Sequence, residues 1–203
     1  MMKPLTEQAI NVIRLAQQES HQQGHGFVGT GQLLLGTIGV EDSIAARALK
    51  SMGVTLDRAR IEVEKIIGRG SLELDPSEIP FSPNACRALE LIEAESQQLG
   101  HKYSSTEHIL LATIRVEDGN ALKVLANLGV DSAEVRDLVI RMLSENTEVI
   151  EEPLDIFLDD YGEVLKKLRS IDSSESREIV KIVYPALFDN LLKEWENSDR
   201  SEM

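Results

Sequence analysis

The sequence repeats itself at a constant spacing of 76 residues, without a gap. Leu5–Ile67 aligns with Phe81–Leu143, and 21 of the 63 aligned positions are identical. The shared residues form short sequence motifs that occur in both copies, such as ES-Q-GH and LL-TI-VED. Two copies of one short unit usually pack together, because each alone leaves an apolar face open to water. The repeat therefore predicts a single domain with pseudo-twofold symmetry over residues 1–145.

Apolar residues recur at helical spacing in both copies, which predicts four helices in each. The first predicted helix has apolar residues at i, i+3, i+4 and i+7, the spacing of an amphipathic helix: Ala9, Val12, Ile13 and Ala16. Hydroxyl residues precede the first two predicted helices of each copy, and we expect them to be N-caps: Thr6, Thr30, Ser82 and Thr106. The predicted fold class is all-α, with two tandem four-helix repeats and a C-terminal helical extension.

Two linkers divide the chain. The first, residues 68–80, contains Gly and Pro and joins the repeats at about residues 5–67 and 81–143. The second opens residues 146–203, which we predict to be an acidic linker followed by the helical extension. The apolar residues of the extension lie at helical spacing, and we expect them either to pack on the domain or a second copy, or to bind a partner. The candidates for partner binding are Phe157, Tyr161, Leu187, Leu191 and Trp195.

Charge and composition exclude several classes of protein. The formal net charge is −14, which argues against binding to nucleic acid or to an anionic membrane surface. The single cysteine rules out an internal disulfide framework. No apolar run approaches the roughly 18 residues of a membrane span. We expect the protein in the cytoplasm, or in the plastid stroma if a transit peptide has been removed.

Four longer sequence motifs resemble those of the N-terminal domain of the Clp/Hsp100 unfoldases, in its ClpC-type double-repeat form. They are LTEQA from Leu5, GHGFVGTGQLLLG from Gly24, FSPNA from Phe81 and GHKYSSTEHILLA from Gly100. The resemblance covers about Leu5–Leu143 and implies two four-helix Clp repeats that bind other proteins. The 203 residues contain no G-x-x-x-x-G-K-[ST] motif, the loop that holds nucleotide phosphates. The chain is therefore similar to stand-alone Clp accessory proteins of the ClpT type, which lack the ATPase module.

The resemblance implies the Clp protease core, a ClpC-type unfoldase or its adaptors as partners, with no cofactor. We find no catalytic motif and no zinc-ligand spacing, so we expect neither an enzyme nor a metal protein. Two other functions stay open: a receptor for phosphoarginine-marked or unfolded proteins, and a regulator unrelated to proteolysis that reuses the fold. Association with a second copy also stays open.

A candidate binding pocket follows from the same resemblance. In ClpC-type domains each repeat has a shallow pocket for phosphorylated arginine, in which a hydroxyl at the start of the first helix and the Glu of a GTEH word take part. Here the second copy keeps Ser82 and Glu107, whereas the first keeps Thr6 but has Gly31 in place of Glu. The physical reason is that a helix N-terminus suits a phosphate and a carboxylate suits a guanidinium. The alternative interpretation is that these residues only cap and begin helices.

Overall fold

The structure, a computed structural model, describes residues 4–72 and 74–145. In this part of the chain it contains eight α-helices, one short 3₁₀ helix and two isolated β-bridges, but no longer strand. In chain order the helices are α1 (Glu7–Gln22), α2 (Thr30–Gly39), α3 (Ile44–Ser51), α4 (Leu56–Ile67), the 3₁₀ helix (Pro76–Glu78), α5 (Pro83–Gln98), α6 (Thr106–Arg115), α7 (Asn120–Asn127) and α8 (Ser132–Glu145).

The predicted fold class is confirmed for the described residues, which form two sets of four helices in the same order. The boundaries of the domain at residues 1–145 and of the extension at 146–203 stay predictions. The predicted helical extension lies outside the described residues, and so do its five candidate partner-binding residues: Phe157, Tyr161, Leu187, Leu191 and Trp195.

The second helix of each repeat lies at the centre of the domain. Nine consecutive residues are buried in each, Thr30–Ile38 in α2 and Thr106–Ile114 in α6. A helix that is buried on every side can sit only inside a core, whereas an amphipathic helix can cover one. The two central helices contact each other, and α1 and α5 pack against α2 and α6 respectively.

The outer helices interlock the two repeats. Helix α3 contacts α8 of the other repeat, and α4 contacts α7 in the same way. Leu34 and Leu49 of the first repeat therefore share one hydrophobic core with Leu110 and Leu125 of the second. None of the described helices combines the length and the apolar character that a membrane span requires.

The caps of the central helices differ from the prediction. The N-cap residues are Gly29 and Ser105, so Thr30 and Thr106 are the first helical residues rather than the caps. The Thr30 hydroxyl instead accepts a hydrogen bond from the backbone N–H of Ala121, at 3.3 Å, and so caps α7 of the other repeat. A residue's preference for caps does not tell which helix it caps, and this one caps a helix 91 residues away.

This cross-repeat cap explains a glycine at the start of α7. The N-cap of α7 is Gly119, whereas the equivalent residue before α3 is Ser43, whose own hydroxyl accepts from Ala46 N–H at 3.1 Å. A Cβ on Gly119 would lie 2.9 Å from the Thr30 hydroxyl oxygen. The second repeat thus lacks a capping side chain at this position because the first repeat supplies one.

Gly36 lets α1 and α2 approach closely. A Cβ on Gly36 would lie 2.3 Å from the Val12 carbonyl oxygen and 2.9 Å from the Ala16 nitrogen. The second repeat has Ala112 at the equivalent position, fully buried, so α5 and α6 accommodate a Cβ there. The close approach is therefore specific to the first repeat.

We expect Gly36→Ala to destabilise the domain although alanine is the better helix former. Helix propensity favours the substitution by about 1 kcal/mol. The clash with the backbone of α1 should outweigh this gain and leave a net loss of about 1–3 kcal/mol in the free energy of unfolding, measured with urea. Gly39→Ala is the matched control in the same helix, because its Cβ would meet only the end of the Leu15 side chain, at 3.1 Å. Equal stability of the two variants would contradict the close approach.

Candidate functional site

The two repeats exchange backbone hydrogen bonds at the entrances to their first helices. The N–H of Thr6 donates to the carbonyl of Ser104, at 2.9 Å, and the N–H of Ser104 donates to the carbonyl of Pro4, at 2.8 Å. The equivalent pair joins Ser82 N–H to the carbonyl of Val28 at 2.9 Å, and Val28 N–H to Pro80 at 2.7 Å. Each pair forms a short parallel β-bridge between the repeats. The start of each first helix is therefore fixed to the other repeat.

This exchange decides which candidate pocket residues are neighbours. Thr6 lies beside the loop that leads into α6, the helix that carries Glu107. Ser82 lies beside the loop that leads into α2, where Gly31 stands, and its hydroxyl is near Gly29. The hydrogen bonds thus associate Thr6 with the second repeat and Ser82 with the first, which the sequence alone did not predict.

The hydroxyls of Thr6 and Ser82 are engaged as helix caps. Thr6 Oγ1 accepts from Ala9 N–H at 3.2 Å, and Ser82 Oγ accepts from Ala85 N–H at 3.3 Å. Thr6 is 2% exposed, whereas Ser82 is half-buried. The capping role that the sequence left open is therefore present for both residues.

Glu107 is buried among polar side chains of its own repeat. Its side chain is 6% exposed, and its Oε2 accepts from the Thr106 hydroxyl at 3.3 Å. Its Oε1 lies 3.6 Å from His108 Nδ1 and 3.9 Å from His101 Nδ1. A ligand that pairs with this carboxylate must therefore compete with groups that already surround it.

Two histidines beside this carboxylate hold the start of α6. The N–H of Ser105 donates to His108 Nδ1 at 2.8 Å, so the proton of the neutral ring is on Nε2. That Nε2–H faces His101 Nδ1 at 2.9 Å, and the ring planes are perpendicular. His108 therefore binds the cap residue Ser105 with one ring nitrogen and His101, in the loop between α5 and α6, with the other.

The first repeat makes the same connection with a glutamine. Gln32 Oε1 accepts from Gly29 N–H at 3.0 Å, and Gln32 Nε2 donates to His25 Nδ1 at 3.1 Å. Gln32 and His108 are equivalent positions in the repeat, the third residue after the N-cap, from which a side chain can reach back to the cap N–H. Neither residue is among the predicted site residues, although the pattern G-x-x-Q or S-x-x-H at the start of a helix is a sequence signal for this contact.

The cluster of His101, Glu107 and His108 has the donor types of a metal site. Its potential ligand atoms lie within 4.8 Å of one another. However, a neutral imidazole has one lone pair, and that of His108 faces Ser105 N–H. His108 would have to release this hydrogen bond before it could bind a metal. The observed bonding therefore favours a structural role for the cluster.

A buried carboxylate recurs on the first helix of each repeat. Glu19 in α1 accepts from Arg60 Nε in α4 at 2.9 Å, and this hydrogen bond raises the pKa of Arg60. Glu95 in α5 is fully buried and accepts from both Arg136 and Arg115, at 2.9 and 3.0 Å. The pairs with Arg60 and Arg136 join the first and fourth helices of each repeat, and the pair with Arg115 joins α5 to α6. Their burial leaves the carboxylates unavailable to a substrate.

The single cysteine is not activated. Cys86 is half-buried in α5, and burial is the main cause that raises the pKa of its thiol, followed by the nearby Glu90 carboxylate. Since the thiolate is the nucleophilic form, this shift makes the side chain less reactive.

The geometry defines a helical domain built from two interlocked repeats, with its described buried acids bonded internally. Comparison with known proteins also indicates a repeat domain. The sequence profile of the Clp repeat (R) N-terminal domain matches residues 4–128, which is more than half of the chain. The chain therefore belongs to the Clp repeat N-terminal domain family.

Two relatives show how far the similarity extends. The ATP-dependent Clp protease ATP-binding subunit ClpA homolog, chloroplastic, of Brassica napus and the chaperone protein ClpC1, chloroplastic, of Arabidopsis thaliana are each 55% identical over 149 residues. These residues are 73% of this chain but only 17% and 16% of the respective relatives. The chain thus spans a small part of the length of these relatives.

Solved structures support the fold. The N-terminal domain of the caseinolytic protease associated chaperone ClpD from Arabidopsis thaliana has a TM-score of 0.60 and 27% identity, and the match covers 70% of this chain and 95% of that one. The Hsp104 N-terminal domain from Candida albicans also has a TM-score of 0.60, but with 19% identity, over 74% of this chain and 97% of that one. The Hsp104 domain shares the fold alone.

We expect His108→Gln to leave stability nearly unchanged and His108→Ala to lower it strongly. Glutamine can accept from Ser105 N–H and donate to His101, as Gln32 does in the first repeat. Alanine leaves a buried N–H without that acceptor and opens a cavity, at a cost of about 2–4 kcal/mol. Urea unfolding of both variants measures the difference. Equal losses of stability in the two variants would show that the hydrogen-bonding role assigned to His108 is wrong.

Proposed function

We propose that this chain is a non-enzymatic accessory protein of the ATP-dependent Clp protease system. It binds the Clp protease core, its unfoldase or their adaptors through the double-repeat domain. Membership of the Clp repeat N-terminal domain family carries this proposal, together with the 55% identity to proteins named as Clp ATP-binding subunit and ClpC1.

The bonding of the acidic groups supports a binding role rather than catalysis. A catalytic carboxylate needs access to a substrate, whereas Glu19 and Glu95 are buried and paired with arginines. The Glu107 cluster is used to hold the start of α6. By this proposal, the protein acts by binding to the surface of a Clp component. It thereby stabilises an assembly or competes for a docking site.

The names of the relatives bear on the compartment. Both relatives described above are named as chloroplastic. We therefore propose the plastid stroma, the second of the two locations expected from the sequence, and keep the cytoplasm as the alternative.

We expect the full 203-residue chain to bind saturably to at least one immobilised Clp component: the protease core, a ClpC-type unfoldase with or without ATP, or an adaptor of that unfoldase. Surface plasmon resonance would measure the affinity. The Hsp104 N-terminal domain is a fold-matched control, because it shares the architecture at only 19% identity. Absence of binding to core, unfoldase and adaptors would contradict the proposal, and equal binding by the control would show that recognition is not specific.

The receptor for phosphoarginine is the second candidate, since Thr6 lies beside the loop that leads to Glu107. We expect no saturable binding of phosphoarginine in a calorimetric titration, because the Glu107 carboxylate is almost fully buried. Binding that is lost in Glu107→Gln but kept in Glu19→Gln, a matched buried carboxylate, would favour the receptor over the accessory protein. The third candidate, a regulator unrelated to proteolysis, gains support only if the chain binds neither a Clp component nor phosphoarginine.

A further inference from the structure

A buried hydrogen-bond network in the first repeat fixes where His25 carries its proton. The backbone N–H of Gly29 can only donate, so the Gln32 atom that faces it at 3.0 Å is the side-chain oxygen. The side-chain NH₂ group of Gln32 therefore faces His25 Nδ1 and the side-chain oxygen of Gln23, both at 3.1 Å. Since this NH₂ group can only donate, His25 Nδ1 must accept, and it carries no proton.

The other ring nitrogen of His25 holds a neighbouring segment of the chain. His25 Nε2 lies 3.0 Å from the carbonyl oxygen of Gly68. A carbonyl can only accept, so Nε2 carries the proton of the neutral ring and donates it. We call Gly68–Leu72, which follows α4, the covering segment. The neutral ring thus joins this segment to the start of α2 through Gln32.

The covering segment also binds the loop after α1 through its backbone. The N–H of Gly70 donates to the carbonyl of Gln23 at 2.8 Å, and the N–H of Leu72 donates to the carbonyl of Gly24 at 3.0 Å. A Cβ on Gly70 would lie 1.9 Å from the Gly24 carbonyl oxygen, so the segment lies directly against this loop. Its attachment there consists of these two backbone hydrogen bonds and the one from His25.

A second proton on His25 is incompatible with this network. It would lie on Nδ1 and face the NH₂ group of Gln32, so that two donors would oppose each other. Rotation of the Gln32 amide would only move the conflict, because its NH₂ group would then face the N–H of Gly29. The ring is 7% exposed, and a buried charge without a hydrogen-bond partner is costly. The protonated ring must therefore leave this position, and its bond to Gly68 is lost.

Charged groups on the neighbouring elements are paired with one another. Glu19 of α1 pairs with Arg60 of α4, and Arg69 of the covering segment lies 3.9 Å from Glu64 of α4. Helix α2, Thr30–Gly39, contains no ionisable side chain. These elements therefore provide little compensation for a charge on the ring.

The second repeat places a carboxylate beside the equivalent histidine. Glu107 Oε1 lies 3.9 Å from His101 Nδ1, and a nearby negative charge favours the protonated ring. The first repeat has Gly31 at the position of Glu107 and so lacks this carboxylate. The two histidines are therefore expected to respond differently to acid.

A further histidine bonds to the same linker but tolerates a second proton. His21 Nδ1 lies 2.7 Å from the carbonyl oxygen of Leu74. A ring nitrogen that faces a carbonyl donates to it in the neutral and in the protonated ring alike. Protonation of His21 therefore keeps this bond, which makes His21 a matched control for His25.

We propose that His25 is a pH-sensitive latch. The neutral ring holds the covering segment on the loop after α1, and the protonated ring releases it. The attachment is therefore complete at high pH and weakens as the pH falls. The inference goes beyond the proposed function, because it concerns a change within the domain and requires no Clp component.

Hydrogen exchange of backbone amides, followed by NMR on the ¹⁵N-labelled full chain, tests the proposal. Exchange is compared at about pH 5.5 and about pH 7.5, on either side of the range in which histidine ordinarily titrates, and is corrected for the intrinsic rate. We expect the protection of the Gly70 and Leu72 amides to fall about tenfold at the lower pH, since the segment loses one hydrogen bond. The amides of Leu34 and Leu110, in the central helices, should keep their protection and so exclude global unfolding.

Two variants assign the effect to one ring. His25→Gln keeps an acceptor for Gln32 and a donor for Gly68 at every pH, so we expect it to remove the pH dependence. His21→Gln should retain it. Equal protection at both pH values in the wild-type protein, pH dependence that persists in His25→Gln, or its loss in His21→Gln would each overturn the proposal.

The ring itself gives a measurement that needs no variant. We expect the ¹⁵N chemical shifts of the His25 ring at about pH 7.5, where an ordinary histidine is mostly neutral, to show a proton on Nε2 and none on Nδ1. A proton on Nδ1 at this pH would also overturn the proposal, because the latch depends on that nitrogen as an acceptor.

Discussion

The reciprocal hydrogen bonds between the two repeats are the constraint on which the rest of the domain depends. The bonds between Thr6 and Ser104 and between Ser82 and Val28 fix the start of each first helix to the other repeat. The central helices α2 and α6 are buried on all sides, so each needs the other repeat to cover it. One repeat alone would expose an apolar helix and leave backbone groups at these bridges unpaired, which explains why the two copies form one core.

The two repeats share one backbone arrangement but differ in the side chains that form hydrogen bonds and cap helices. Gln32 and His108 make equivalent hydrogen bonds with different functional groups. Helix α3 is capped by the hydroxyl of its own N-cap residue, Ser43, whereas α7 begins at Gly119 and is capped by Thr30 of the other repeat. Such exchanges keep the geometry because the backbone groups that need partners stay the same.

The number and order of the helices could be predicted from the sequence because their signals are local. Apolar spacing of 3.6 residues and glycines at helix ends, such as Gly53 with φ +78°, mark where each helix begins and ends. The partners across the repeats could not be predicted, since periodicity tells which face is buried but not what covers it. For this reason Thr30 was predicted to cap its own helix, and Ser82 was grouped with Glu107 rather than with the loop at Val28.

The candidate pocket shows how internal bonding limits what a surface can bind. A guanidinium that pairs with Glu107 would gain a charge-assisted interaction, but the carboxylate would lose part of its bond to Thr106. The affinity is the difference between the two sets of interactions, and burial makes the lost set costly. In this domain, the buried polar clusters that hold the repeats together are therefore unfavourable places for a ligand to bind.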